Sequence, residues 1–141
     1  MSIQGAYTVK KNTRQVRSPL REPLDIKVDL DLPEEVCFKL CNINLGGMGI
    51  AIPVAYDPTL SREENIERNS IRVAVEIDQE IHVSVPEGGV FKRPISVTAI
   101  VRYIAQAQKV NSIPCVCYLG LAYKNLPNKA FSTIESAIVR L

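Results

Sequence analysis

Hydrophobic and polar residues alternate along most of the chain, and a period of two is typical of β-strands. The clearest run is 24–32, where aliphatic residues at even positions alternate with charged residues at odd positions. Further runs predict strands at 36–43, 48–52, 71–77, 80–85, 94–105 and 113–123. Proline- and glycine-containing breaks separate most of these runs, and the polar stretch 106–112 is expected to join the last two strands.

Two segments depart from this pattern. The polar and charged run 57–70 predicts a long loop or one short surface helix. Near the C-terminus, apolar residues recur at helical spacing and predict an amphipathic helix, which would cover one open end if the strands form a barrel. The residues of that stripe are Phe131, Ile134, Ile138 and Leu141. About six short strands and a terminal helix indicate a small barrel or sandwich.

Length and composition indicate one soluble globular domain. The chain has 141 residues, of which 46% are hydrophobic and 23% are charged, which excludes a disordered chain, a collagen-like repeat and a coiled coil. Its apolar stretches are far shorter than the ~20 residues that span a bilayer. The first residues lack the charged and apolar regions of a signal peptide. We therefore expect a cytoplasmic protein without direct membrane insertion.

Metal and catalytic chemistry find little support in the sequence. The four cysteines form two pairs, Cys37/Cys41 and Cys115/Cys117, with same-face strand spacing and without a Cys-x-x-Cys knuckle. We predict buried, reduced thiols and no metal site. His82 is the only histidine, and its strand phase predicts a solvent-facing side chain. No Ser/Cys–His–carboxylate set can be assembled without His82, so we expect no enzyme and no cofactor.

Two other features suggest a binding site. A glycine-rich turn begins at Gly46–Gly47, and Asn42 and Asn44 precede it on one strand face. The turn is either a tight hairpin or a place where a planar ligand approaches the backbone closely. Upstream, Arg17 and Arg21 flank a proline that stiffens the segment. Two guanidinium groups at this spacing suit a ligand with phosphates and aromatic faces.

These residues resemble the signature of the PilZ domain family, which is RxxxR followed by [D/N]xSxxG. Arg17 and Arg21 match the first motif, and 42–47 matches the second with asparagine in the serine position. Strand segments 98–102 and 118–123 are also similar to the family's later strands. The resemblance covers about residues 14–141, which leaves 1–13 as a flexible N-terminal arm.

The resemblance implies an all-β fold: a small, six-stranded antiparallel split β-barrel with a C-terminal α-helix. It also implies binding of cyclic di-GMP, a bacterial second messenger, relayed to an unidentified downstream effector protein by a conformational switch in the arginine segment. The ligand-binding residues would be Arg17, Arg21, Asn42, Asn44 and Gly47, with Arg14 and Gly46 as accessories. In the family, the arginines clamp phosphates and stack on guanine, and the first motif residue contacts a guanine edge.

Asn44 departs from the family pattern and keeps a second interpretation open. Asparagine is larger than serine and its amide reaches differently, so the chain could be a degenerate PilZ-like barrel that acts as a protein–protein interaction adaptor. The charged run 57–70 is a second departure and is either a partner-contact surface or a tolerated loop. A barrel binding single-stranded nucleic acid is a third alternative. No nucleic-acid partner is expected, because no aromatic stacking platform is evident.

Overall fold

The computed structural model describes residues 18–30, 36–54, 58–64, 74–110 and 113–141. Its main elements, in chain order, are β1 (Ser18–Val28), β2 (Phe38–Ile43), β3 (Gly47–Pro53), β4 (Glu80–Val85), β5 (Ile95–Val110), β6 (Ile113–Asn125) and α1 (Asn128–Val139). The strands form a closed antiparallel barrel in the order β1-β2-β3-β6-β5-β4, and β4 closes it against β1. The predicted all-β barrel with a C-terminal helix is confirmed.

The barrel core follows from the alternation of residues along the strands. In β4, Ile81, Val83 and Val85 are buried, whereas Glu80 and His82 are exposed. Successive side chains of a strand point to opposite faces, so one face of β4 lines the core and the other faces solvent. The predicted solvent-facing position of His82 is therefore confirmed.

A β-bulge at Cys41 changes this alternation in β2. The β2–β3 register shifts between Leu40 and Asn42, so one extra residue is inserted in β2. Leu40 and Ile43 belong to the main core, whereas Cys41 belongs to a separate small cluster. The bulge thus places Cys41 and Asn42 together on the outer face of the barrel.

The strand predicted at 71–77 is wrong in its described part. Residues 74–76 have no regular structure, Ile77 is 52% exposed, and Asp78 has a φ of 72°. The Glu76 backbone N–H donates to Gln79 Oε1, and the Gln79 N–H donates to the Glu76 carbonyl. These bonds close a turn at Asp78 that leads into β4. Residues 71–73 lie outside the described part.

The connection predicted at 106–112 is also different. β5 continues to Val110 and β6 begins at Ile113, with Val110 opposite Ile113 in the ladder. The polar composition of this stretch suggested a loop. Backbone hydrogen bonds to the neighbouring strand extend the ladder independently of side-chain polarity.

Helix α1 buries a different stripe from the predicted one. Ala130, Ile134 and Ala137 join the barrel core, while Phe131 is 38% and Leu141 is 41% exposed. Small alanine side chains allow the helix backbone to approach the strands closely, so the buried face is not the face with the largest residues. Ile134 is common to both stripes, and Ile138 of the predicted stripe is half-buried and packs against the core.

The described part of the charged run 57–70 contains a helical turn at 62–64. The Ser61 backbone N–H donates to Glu64 Oε1, and the Glu64 N–H donates to Ser61 Oγ. This reciprocal pair is a capping box, which marks a helix N-terminus. The two bonds support the short-helix alternative. They also lower the pKa of the Glu64 carboxyl, because the Ser61 N–H stabilises the carboxylate.

The cysteine prediction holds for three of the four thiols. Cys41, Cys115 and Cys117 are buried thiols outside any disulfide, whereas Cys37 is exposed. Cys115 lies in the outer cluster and Cys117 in the main core, because the β3–β6 register shifts between Ile52 and Pro53. The predicted same-face placement of these two residues is therefore wrong.

Candidate ligand-binding face

The pairing of β1 with β2 brings the two sequence motifs together. Ser18 lies opposite Ile43, and Pro19 lies opposite Asn42. The register then shifts between Pro19 and Leu24, so Arg21 lies on an irregular part of β1 beside the end of β2. Leu20 is buried in the core and anchors this segment. Arg14, Arg17 and the predicted arm at 1–13 lie outside the described residues.

The β2–β3 turn is built around the side chain of Asn44, which is 3% exposed. Its Oδ1 accepts hydrogen bonds from the backbone N–H groups of Gly46 and Gly47, each at 2.8 Å. The backbone N–H of Asn44 donates to the Gly47 carbonyl at 2.9 Å. This is the local bonding by which asparagine stabilises turns, so Asn44 shapes the backbone of the motif.

Tyr123 on β6 holds this turn against the barrel. Its hydroxyl donates to the Asn44 carbonyl at 3.1 Å, and its backbone N–H donates to the Gly46 carbonyl, also at 3.1 Å. The turn is thereby fixed at both its start and its centre. Because the turn is already ordered, it loses less conformational entropy when a ligand binds.

Asn42 carries a buried acceptor without a donor. Its side chain is more than nine-tenths buried, and its Nδ2 donates to the Tyr118 hydroxyl at 3.3 Å. Among the described residues, Asn42 Oδ1 is the buried side-chain polar atom that has no hydrogen-bond partner. An unsatisfied buried polar group costs about 1–3 kcal/mol. A ligand N–H group that reached this oxygen would recover that free energy.

Four residues form one row across the outer face of four neighbouring strands. Asn42 pairs with Gly49, Gly49 with Gly120, and Gly120 with Tyr103. A Cβ atom on Gly49 would overlap the Tyr118 hydroxyl and the Asn42 amide, so glycine is required there. A Cβ atom on Gly120 would lie 3.1 Å from the Tyr103 Cβ. The centre of the row thus has backbone without side chains of its own.

Two tyrosines flank this row. The rings of Tyr103 and Tyr118 meet edge to face, with centroids 6.0 Å apart. Tyr103 is 50% exposed, whereas Tyr118 packs against the outer cluster of Cys41, Ala51 and Cys115. A half-exposed aromatic ring such as that of Tyr103 can stack on a planar base.

The outer cluster beside the row is apolar and chemically inert. Burial, with a smaller contribution from nearby Cys115, raises the pKa of the Cys41 thiol to about 11. The thiol is therefore neutral near pH 7 and acts as packing. None of Asn42, Gly49, Gly120 and Tyr103 is charged, so positive charge for an anionic ligand would have to come from the arginine segment.

Sequence reasoning missed part of this face. The sequence pattern assigned no binding role to Tyr103, Tyr118 and Gly120. The PilZ-resembling segment 98–102 ends next to Tyr103, and segment 118–123 contains the other two residues. The available signal was strand phase: Tyr118 and Gly120 occupy the positions between the core residues Cys117, Leu119 and Leu121. The pairing that aligns them with Asn42 depends on the barrel topology and is not visible locally.

Comparison with known proteins gives matches in structure. No family model matches the chain, and no curated protein matches it in sequence. The PilZ domain with c-di-GMP of YcgR from Escherichia coli is similar, with a TM-score of 0.54 and 18% identity over 89% of this chain and 86% of that chain. The fold is PilZ-like.

A second PilZ-like match is the Bacillus subtilis inhibitor of motility, MotI/DgrA. The TM-score is 0.52 and the identity 16%, over 88% of this chain and 49% of that chain. This chain therefore corresponds to about half of the longer protein. At such identities the two matches show the PilZ-like fold, while the site residues of this chain stay predictions.

Two further observations on the described residues concern membrane insertion and metal binding. The described part of the chain holds no helix that is both long and apolar enough to cross a membrane. In the same ranges, His, Cys, Asp and Glu side chains nowhere gather in a group of three or more that could hold a metal ion.

Proposed function

We propose that this PilZ-like chain is a receptor for cyclic di-GMP and has no catalytic role. The observation that carries the proposal is the pairing of Pro19 with Asn42, which puts residues 18–21, the described part of the RxxxR segment, beside the strand end that leads into the NxNxxG turn. These motifs lie more than twenty residues apart in sequence. The structurally similar YcgR domain was solved with c-di-GMP, which supports the choice of ligand.

Each part of the face has a distinct role in this proposal. Arg17 and Arg21 clamp the phosphates, since guanidinium groups bind phosphate oxygens in pairs and stack on ring planes. Asn42 Oδ1 accepts a hydrogen bond from a guanine N–H group. The absence of a Cβ atom on Gly49 makes room for the Asn42 amide and the Tyr118 hydroxyl, and the half-exposed Tyr103 offers a ring for stacking.

Asn44 supports the site through the turn. Because its Oδ1 accepts from the N–H groups of Gly46 and Gly47, it sets the backbone that the ligand meets. A serine hydroxyl also stabilises turns by accepting from nearby N–H groups, though more weakly. The asparagine in this position is therefore compatible with ligand binding.

The signal would be relayed through β1. Leu20 is fixed in the core, so a ligand that draws in Arg17 and Arg21 changes the backbone on both sides of a fixed point. A downstream effector protein would recognise this new conformation, as in other ligand-controlled segments. The similar motility inhibitor makes motility the first pathway to test, and the cytoplasm remains the expected location.

Isothermal titration of the full chain with cyclic di-GMP tests the proposal. We expect micromolar binding, about −8 kcal/mol, which the Arg17→Ala/Arg21→Ala variant loses. Asn42→Ala should weaken binding by about two- to tenfold, because one buried hydrogen bond contributes about 0.5–1.5 kcal/mol. Lys27→Ala is the control, since Lys27 is exposed at the far end of β1. Equal affinity in all variants would contradict the site.

The second candidate is a PilZ-like adaptor that binds protein without nucleotide. The observation that favours it is the use of the Asn44 side chain within the turn, which occupies the oxygen that the motif would offer to a ligand. Absence of binding heat with folded wild-type protein, verified by a cooperative thermal transition, would select this function.

A further inference from the structure

A groove lies on α1, away from the candidate ligand-binding face. It has a volume of about 380 Å³ and runs between the helix and the residues that precede β5. Its lining residues are Lys92, Arg93, Asn128, Lys129, Ser132, Thr133 and Ser136. None of them belongs to the row from Asn42 to Tyr103, so the two surfaces can be occupied at the same time.

Three cationic side chains line the groove, and no carboxylate of the described residues forms an ion pair with them. Lys92, Arg93 and Lys129 are exposed, and within the described ranges none of them forms an ion pair. Three other cations of the barrel are paired: Lys39 with Asp25, Arg102 with Asp78, and Lys124 with Glu80. Three like charges around one concave surface attract an anionic partner.

The start of α1 adds to this field. Pro127 precedes the helix and provides no side-chain hydrogen bond to it, and the first turn holds no acidic residue. The unsatisfied N–H groups of a helix N-terminus carry partial positive charge. The one acidic residue of the helix, Glu135, is not among the residues that line the groove.

The shape of the groove favours an extended ligand. Its helical lining runs from Asn128 to Ser136, which at 1.5 Å per residue corresponds to about 12 Å. Lys129 lies in the first turn of the helix, and the hydroxyl-bearing residues Ser132 and Ser136 continue along it. Thr133 donates its hydroxyl to the Lys129 carbonyl and faces the same groove. A single small anion would use only one end.

We propose that this groove binds an acidic segment of a partner protein. Carboxylates of such a segment would pair with Lys92, Arg93 and Lys129 and accept hydrogen bonds from the serine hydroxyls. A nucleic acid is less suited, because the chain carries a net charge of only +2 and the groove has no aromatic residue for base stacking. The proposal does not depend on cyclic di-GMP binding.

The test uses a fluorescein-labelled decapeptide rich in glutamate, with its glutamine analogue as the neutral probe. Fluorescence anisotropy of the full chain at low salt should show binding of the glutamate peptide only. The Lys92→Glu/Lys129→Glu variant should bind it at least fivefold more weakly. The Lys27→Glu/Arg62→Glu variant, which changes the net charge equally at exposed sites outside the groove, should bind like wild type.

Three outcomes would overturn the proposal. They are equal losses in both double variants, no binding of the glutamate peptide, and stronger binding of a single-stranded oligonucleotide or of phosphatidylglycerol vesicles than of the peptide. Circular dichroism verifies that each variant is folded. A Ser132→Ala/Ser136→Ala variant, which keeps every charge, should weaken binding by about twofold if the hydroxyls take part.

Discussion

The side chain of Asn42 occupies the space that a Cβ atom on Gly49 would need. These residues face each other in the β2–β3 ladder, and the bulge at Cys41 turns Asn42 towards the outer face. The glycine is therefore part of the site even though it contributes no functional group. It allows the Asn42 amide to reach the Tyr118 hydroxyl.

Replacing Gly49 by alanine should displace both of these groups. We expect Gly49→Ala to lower the free energy of unfolding by about 1–3 kcal/mol, the usual cost of overpacking. The cost should be smaller in an Asn42→Ala background, where the amide is absent and the Tyr118 hydroxyl can move. A double-mutant cycle by urea denaturation measures this coupling, and strictly additive effects would show that the residues do not compete for this space.

The second prediction concerns the turn. Asn44→Ala removes the acceptor for two backbone N–H groups and should lower the free energy of unfolding by about 1–2 kcal/mol. Asn44→Asp keeps a side-chain oxygen and should be closer to wild type. Urea denaturation separates the two variants, and equal stability of Asn44→Ala and wild type would exclude the proposed role of Asn44 in the turn.

The third prediction concerns the thiols. Ellman's reagent at pH 8 should label Cys37 rapidly and the buried Cys41, Cys115 and Cys117 only after unfolding. Rapid labelling of more than one thiol in the folded protein would contradict their burial. A Cys37→Ser variant, in which the fast phase should disappear, assigns that phase.

The same thiols predict a loss of stability at alkaline pH. Burial, with a smaller effect of Cys115, raises the pKa of Cys41 and of Cys117 to about 11 in the folded protein, against about 8.5 in an unfolded chain. The unfolded state therefore loses protons first, and the free energy of unfolding falls as the pH rises from about 8.5 to about 11. Urea denaturation at several pH values, with Cys117→Ala as control, measures the decline. An unchanged slope in the control would assign the effect to other groups.

The fourth prediction distinguishes the two stripes of α1. Ile134→Ala should cost about 2–4 kcal/mol, because it leaves a cavity in the core, whereas Phe131→Ala should cost less than about 1 kcal/mol, because Phe131 is 38% exposed. Thermal or urea denaturation of the pair decides the matter. A larger loss for Phe131→Ala would restore the stripe that the sequence predicted.

Sequence patterns predicted the parts of this fold that local chemistry controls. The alternation in 24–28, the part of the predicted run 24–32 that lies in β1, and in 80–85 marks strands with one buried face, and residues 42–47 locate a turn. The bulge at Cys41 and the ladder from Val110 to Ile113 were not predicted. Each depends on hydrogen bonds to a distant or neighbouring backbone, which side-chain polarity does not encode.

The candidate site shows the same division. Asn42, Asn44 and Gly47 could be found because they form a short motif. Tyr103 and Gly120 could not, since only the closed barrel aligns them with Asn42. The different functions of the two asparagines also required the structure: one supports the turn, and the other presents an unsatisfied acceptor.

The central claim is that cyclic di-GMP binds at the row from Asn42 to Tyr103. The most direct test is a titration of the full chain with cyclic di-GMP, followed by amide ¹H–¹⁵N correlation NMR spectra. The account predicts saturable shifts of the amides of Asn42, Gly47, Gly49, Tyr103 and Gly120, with little change in the groove residues of α1. No shifts at ligand excess, or shifts confined to a surface away from the row from Asn42 to Tyr103, would contradict it.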